Sequence, residues 1–110
     1  MTTYFISRHT GAIEWAARQH MQVDQLIDHL DAAIVKAGDI VMGSLPVNLA
    51  AQVCAKGAAY WHLSLELPAE LRGRELSADE MAHLGARLEA FDIQALQILP
   101  TKQASKNPGI

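Results

Sequence analysis

Hydrophobic and polar positions along the chain switch between two rhythms. Thr3 to Ser7 is apolar and β-prone, which predicts a first strand. Arg8-His9-Thr10-Gly11 interrupts it. From Gly11 to His20 the spacing turns helical, with Ile13, Ala16 and Ala17 on one face and Thr10 as N-cap. In residues 22–30, Val23, Leu26, Ile27 and Leu30 fit helical spacing, but the rhythm of the neighbouring segments favours a short strand, and a strand is predicted. After the turn Ala37-Gly38-Asp39, the run Ile40-Val41-Met42-Gly43 reads as a buried strand. Ser44-Leu45-Pro46 then opens a helix, because proline is tolerated in a first turn. Its apolar face is Val47, Ala50, Ala51 and Cys54, and Gly57 ends it.

Ala59 to Leu67 is the clearest strand. Trp61, Leu63, Leu65 and Leu67 fall on one face and Tyr60, His62, Ser64 and Glu66 on the other. A loop rich in Pro, Glu and Arg runs from Pro68 to Leu76. Ser77 and Glu80 have the spacing of a capping box, and Met81, Leu84, Leu88 and Phe91 mark one face of a third helix. A last strand is expected over Asp92 to Leu99, and Pro100 to Ile110 reads as a polar tail. No internal repeat is visible.

Strands that alternate with helical segments of ~10–15 residues argue for βαβ units and a mostly parallel sheet flanked by helices. Ligands of such sheets bind outside the carboxyl ends of the strands. Three segments are thereby nominated: Arg8 to Gly11, Gly43 to Asn48, and Ser64 to Arg74.

Bulk properties narrow the choice. The 110 residues suit one domain over 1–99, half of them hydrophobic, with a net charge of −3 and no basic stripe of the kind a duplex nucleic-acid binder carries. An anionic ligand would therefore rely on a few local cations. Cys54 is the single cysteine, so no intrachain disulfide forms, which suits a reducing compartment. The N-terminal residues lack the charged start and apolar run of a signal peptide, and no stretch has the roughly 18 apolar residues of a membrane span. A cytoplasmic location is expected. No HExxH or clustered His/Asp pattern points to zinc, and neither a metal nor a cofactor is expected.

The first nominated segment holds the most chemistry. Arg8 is a permanent cation, His9 is a candidate proton shuttle, and Thr10-Gly11 start a helix whose free N–H groups favour an anion. The competing reading is a solvated Arg–His pair beside a plain cap. The second segment repeats the pattern with Ser44 and Asn48, but no Gly-Lys-Ser/Thr follows its strand, so it is not a P-loop. His62 reads either as a core histidine bonded to Ser64 or a backbone group or as a site group. His20, His29 and His83 have no matching partner in the sequence.

The runs Thr3-Tyr4-Phe5-Ile6-Ser7-Arg8-His9-Thr10-Gly11-Ala12-Ile13-Glu14-Trp15, Gly38 to Ala51, and His62-Leu63-Ser64-Leu65-Glu66-Leu67-Pro68, with a fourth block Leu71-Arg72-Gly73-Arg74-Glu75-Leu76-Ser77, resemble the CRISPR-associated family called Csx-sixteen. Their order and spacing agree from about Thr3 to Phe91. The resemblance implies an accessory protein of type III CRISPR systems. Those systems make cyclic oligoadenylate messengers, and ring nucleases cut the messengers to switch off the antiviral response. It also implies a Rossmann-like fold similar to the CARF domains, which bind such messengers as homodimers. Composition and spacing show none of this.

The implied chemistry is metal-independent. The 2′-OH attacks the adjacent phosphorus, leaving linear products that end in a 2′,3′-cyclic phosphate. His9 would transfer the proton and Arg8 would contact phosphate. Ser7, Thr10, Gly11, Ser44, Asn48 and Ser64 would hold ribose or phosphate, with Arg72 and Arg74 as weaker phosphate contacts from a loop. The alternatives are a protein that sequesters cyclic oligoadenylate without cutting it, and an RNA- or protein-binding adaptor.

Overall fold

The computed structural model describes residues 1–100; the expected tail lies, after Pro100, outside them. Four strands follow the apolar runs: β1 (Thr3–Ile6), β2 (Gln25–Ile27), β3 (Ile40–Gly43) and β4 (Ala59–Ser64), and β5 (Arg87–Phe91) completes the sheet. The order is β2-β1-β3-β4-β5. Only β5 is antiparallel, registered against β4 with Tyr60 opposite Phe91 and Ser64 opposite Arg87. All four residues of β1 are buried, as befits a parallel strand covered on both faces. The fold is an α/β, Rossmann-like sheet with helices on both sides.

Alternate residues of the central strands feed two separate cores. On one face Tyr4, Ile6, Val41 and Tyr60 pack with Ala50 and Val53 of helix α2 (Val47–Ala55). On the other, Phe5, Met42 and Leu63 pack with Ala12, Trp15 and Ala16 of α1 (Thr10–Arg18) and with Ala78 and Met81 of α3 (Ala78–His83). Helices α1 and α2 thus leave the sheet on opposite faces. The chain turns from β1 to β2 on one side and reaches β3 on the other, so the switch of direction falls between β1 and β3.

Several expectations shift by a residue or an element. Thr10 is the first helical residue rather than the cap; His9 holds the N-cap position and offers no side-chain bond to the helix. The buried face of α1 is Gly11, Ala12, Trp15 and Ala16, with Ala17 exposed. Helix α2 begins after Pro46, leaving Val47 exposed. Strand β4 stops at Ser64 because the chain turns to α3, where the Glu66 N–H donates to the Leu84 carbonyl (2.8 Å). The capping box of Ser77 and Glu80 is present.

The third helix does not reach Leu88 or Phe91. It ends in a glycine turn, with Gly85 at φ 75°, the Gly85 N–H on the Ala82 carbonyl and the Ala86 N–H on the Met81 carbonyl. Leu88 and Phe91 belong to β5 instead. Because β5 takes the edge of β4, Asp92 to Leu99 forms no strand, and Leu96, Ile98 and Leu99 are exposed.

One polar group pins the entry to the sheet. Buried Asp39 accepts the backbone N–H of Lys36 and of Thr2, each at 2.9 Å. These bonds, that of Lys36 first, hold its carboxyl below the ordinary Asp value. A depressed folded-state value means that ionised Asp39 stabilises the fold above the unfolded value of about 3.9, and that this contribution fades as pH falls through the folded value. Urea midpoints should therefore show wild type more stable than Asp39→Asn above about pH 5, with the difference shrinking on acidification. An equal difference at pH 7 and pH 2 would contradict the assignment.

Candidate active site

The carboxyl ends of β1, β2 and β3 open into a cleft of about 610 Å3. From the β1 end come Ser7, Arg8 and His9; from the β3 end, Ser44, Leu45 and Pro46; from the β2 end, Asp28, His29 and Leu30. The far wall is the segment Arg74-Glu75-Leu76, which approaches the start of α1. The cleft straddles the switch between β1 and β3, where open α/β sheets bind their ligands.

His9 is held in a defined orientation. Its Nδ1 lies 2.8 Å from Glu75 Oε2, and its backbone N–H donates to Ser7 Oγ (3.1 Å). An ionised carboxylate only accepts, so Nδ1 carries the hydrogen and Nε2 keeps the free lone pair or the exchangeable proton. The two side chains are 62% and 68% exposed, and an exposed pair adds only about 0–1 kcal/mol to stability. Its effect is to fix a tautomer and a direction.

The cations divide clearly. Among the described residues, Arg18 pairs with Glu14 and Asp79, Arg87 with Glu66 and Glu89, and Arg74 with Glu80. Arg8 makes no ion pair or hydrogen bond within the described residues, and it lines the cleft beside His9. Arg72 is likewise without an ion pair but does not line the cleft. The first turn of α1 receives no side-chain cap, and its Gly11 and Ala12 are buried.

Of the residues nominated from the sequence, Ser7, Arg8, His9, Ser44 and Arg74 come together in this cleft. Thr10, Gly11, Asn48, Ser64 and Arg72 are not among its lining residues. Ser44 Oγ donates to the Leu63 carbonyl (3.2 Å), tying the β3 loop to β4. Gly11 has a packing role: a Cβ there would stand 1.8 Å from the Leu76 carbonyl oxygen.

His62 is half-buried and its partner is the Tyr60 hydroxyl, not Ser64 or a backbone group. Its Nδ1 is 2.6 Å from the hydroxyl of Tyr60, and its ring meets Phe91 edge-on at 6.0 Å between centroids. The buried Tyr60 oxygen also accepts the Leu45 N–H (3.0 Å) and lies 3.2 Å from the Gly43 carbonyl. Burial pushes the Tyr60 hydroxyl above its ordinary pKa. This knot fixes the loop after β3 from beneath and stands outside the cleft lining.

Three polar lining residues, Asp28, His29 and Glu75, were passed over in the sequence. The carboxyl-end rule, applied to the short strand at 25–27, would have found Asp28 and His29. Glu75 had no local signal. Among the described residues, no group of three or more His, Cys, Asp or Glu side chains is placed to hold a metal ion, and no helix is long and apolar enough to cross a membrane.

Fold and cleft together define a doubly wound α/β protein with an open cleft of mixed polar and apolar lining at its topological switch point. Residues 4–94 match a family model described as "Putative CRISPR-associated protein (Cas_VVA1548)", and the chain belongs to that family of CRISPR-associated proteins. No curated protein and no solved structure matches it.

Proposed function

We propose that this protein is a metal-independent ring nuclease of type III CRISPR systems, cutting cyclic oligoadenylate, with cyclic tetra-adenylate as the first substrate to test. One observation carries the reading: Arg8, without an ion pair among the described residues, and a carboxylate-oriented histidine, His9, share the switch-point cleft of a CRISPR-associated chain. Membership of that family supports the CRISPR setting. The cleavage chemistry rests on the cleft.

RNA brings its own nucleophile. The protein must place the 2′-oxygen in line with the phosphorus and the departing 5′-oxygen. His9 Nε2 accepts the 2′-OH proton while Glu75 holds the imidazole from behind. Arg8 stabilises charge growing on the non-bridging oxygens. The 2′-oxygen bonds to phosphorus, the P–O5′ bond breaks, and the products are a 2′,3′-cyclic phosphate and a 5′-hydroxyl. A two-fold homodimer belongs to this reading, because a cyclic tetranucleotide has two-fold symmetry that two identical clefts can match.

The test is incubation of the purified protein with labelled cyclic tetra-adenylate in the presence of EDTA. Linear products ending in 2′,3′-cyclic phosphate, with one ring saturating two chains, are expected. Tight binding without turnover would make the protein a sequestering one, and neither binding nor turnover would remove both readings. In the same assay, Arg8→Ala should weaken affinity roughly 10–100-fold, the value of a charge-assisted hydrogen bond of about 1.5–3 kcal/mol. Unchanged affinity would displace the phosphate site from Arg8.

A further inference from the structure

Strand β2 delivers a second histidine to the same cleft. Ile6 of β1 is registered against Ile27 of β2, and the Ser7 N–H continues the ladder onto the Ile27 carbonyl at 3.0 Å. Arg8 and His29 thus each stand two residues beyond a registered pair, on neighbouring strands, and both line the cleft. His29 is exposed, and neither ring nitrogen has a hydrogen-bond partner among the described residues.

Cleavage by 2′-OH attack needs two proton movements, one off the 2′-oxygen and one onto the 5′-oxygen. The in-line geometry sets these two oxygens on opposite sides of phosphorus. His9 has only Nε2 to offer, because Nδ1 is engaged by Glu75. One nitrogen cannot face both oxygens in the same step. The other lining groups are poor donors. Arg8 and Arg74 do not release a proton near neutrality. Glu75 is engaged by the His9 ring, and a carboxylate, as at Asp28, only accepts. The Ser44 hydroxyl is committed to the Leu63 carbonyl, and an aliphatic alcohol such as Ser7 holds its proton too tightly to protonate a leaving group. Among the lining side chains, His29 alone remains as an imidazole with both ring nitrogens unengaged by any described residue, and imidazole is the side chain suited to giving and taking protons.

We infer that His29 is the general acid of the reaction, protonating the departing 5′-oxygen while His9 takes the 2′-hydroxyl proton. The inference rests on the ring-nuclease reading. Each turnover leaves His9 with one proton more and His29 with one fewer, and exchange with water restores both; no other reactant is consumed.

The experiment compares wild type, His29→Ala and His9→Ala on two substrates: cyclic tetra-adenylate, and the same ring with sulfur in place of each 5′-bridging oxygen. A thiolate leaves without protonation. His29→Ala should cut the natural ring slower by about 10²-fold or more, the usual contribution of a general acid. It should cut the sulfur ring at nearly the wild-type rate, with ring affinity retained. His9→Ala should be slow on both. If His29→Ala cuts the natural ring as fast as wild type, or is equally slow on both rings, His29 is not the acid, although the ring-nuclease reading stands. If wild type cuts neither ring, the proposed activity fails and the acid assignment goes with it.

Discussion

Replacing His9 by alanine should slow cleavage of cyclic tetra-adenylate by about 10²–10⁴-fold while affinity for the ring changes little. The reason is where the imidazole acts. In the bound ground state the 2′-hydroxyl keeps its proton, and His9 contributes little beyond one hydrogen bond. As the 2′-oxygen closes on phosphorus, that proton becomes acidic and an oriented Nε2 gains most of its worth, so the loss falls on the chemical step rather than on binding. Single-turnover rates with direct binding isotherms separate the two. The fold should tolerate the change, since the His9 side chain is 62% exposed. His62→Ala is the contrasting variant. It unpicks the Tyr60 knot beneath the β3 loop, so its expected defect is in stability. A fully active His9→Ala beside a folded but inactive His62→Ala would move the chemistry from the cleft to β4.

Gly11→Ala should destabilise the protein by about 3 kcal/mol or more, at the upper end of the cost of overpacking a well-filled site. Helix propensity alone gives the opposite sign, since alanine is favoured over glycine in a helix by about 1 kcal/mol. Packing decides the matter. The added Cβ would lie 1.8 Å from the Leu76 carbonyl oxygen, 2.9 Å from its carbon and 3.3 Å from the Ser77 carbonyl carbon. These are backbone atoms leading into α3, so no rotamer change relieves the clash. Relief requires α1 and α3 to separate, which opens the core shared by Ala12, Trp15, Ala78 and Met81. It would also carry Glu75 away from His9. A lowered urea midpoint with lost cleavage is therefore expected. A raised midpoint would show that α1 does not sit against Leu76.

Local chemistry was enough to place the scaffold of the site. Strands β1 and β3 are unbroken apolar runs, and the chain leaves them through Arg8-His9 and Ser44-Leu45-Pro46 into helices. The carboxyl-end rule pointed to the end of the sheet where the cleft opens, and five of the ten nominated side chains line it: Ser7, Arg8, His9, Ser44 and Arg74. The other five lie outside the cleft lining for a geometric reason. Thr10 and Gly11 have turned into α1, Asn48 has turned into α2, and Ser64 and Arg72 do not face the cleft, so closeness in sequence to a loop did not make them part of its lining.

The sequence by itself determined the parallel strands, the capping box at Ser77 and Glu80, and the Arg8–His9 pair at the head of a helix. Each is written in a few consecutive residues, where side-chain periodicity and backbone capping act. Only the tertiary structure decided that Leu88 and Phe91 lie on an antiparallel edge strand, since the same apolar spacing serves a helix face or a strand until a glycine turn ends the helix. Only the tertiary structure joined His9 to Glu75 across 66 residues and brought His29 into the same cleft. Periodicity tells a residue which face it occupies. Its partner depends on how α1 closes on α3 and how β2 pairs with β1, and those are properties of the packed sheet.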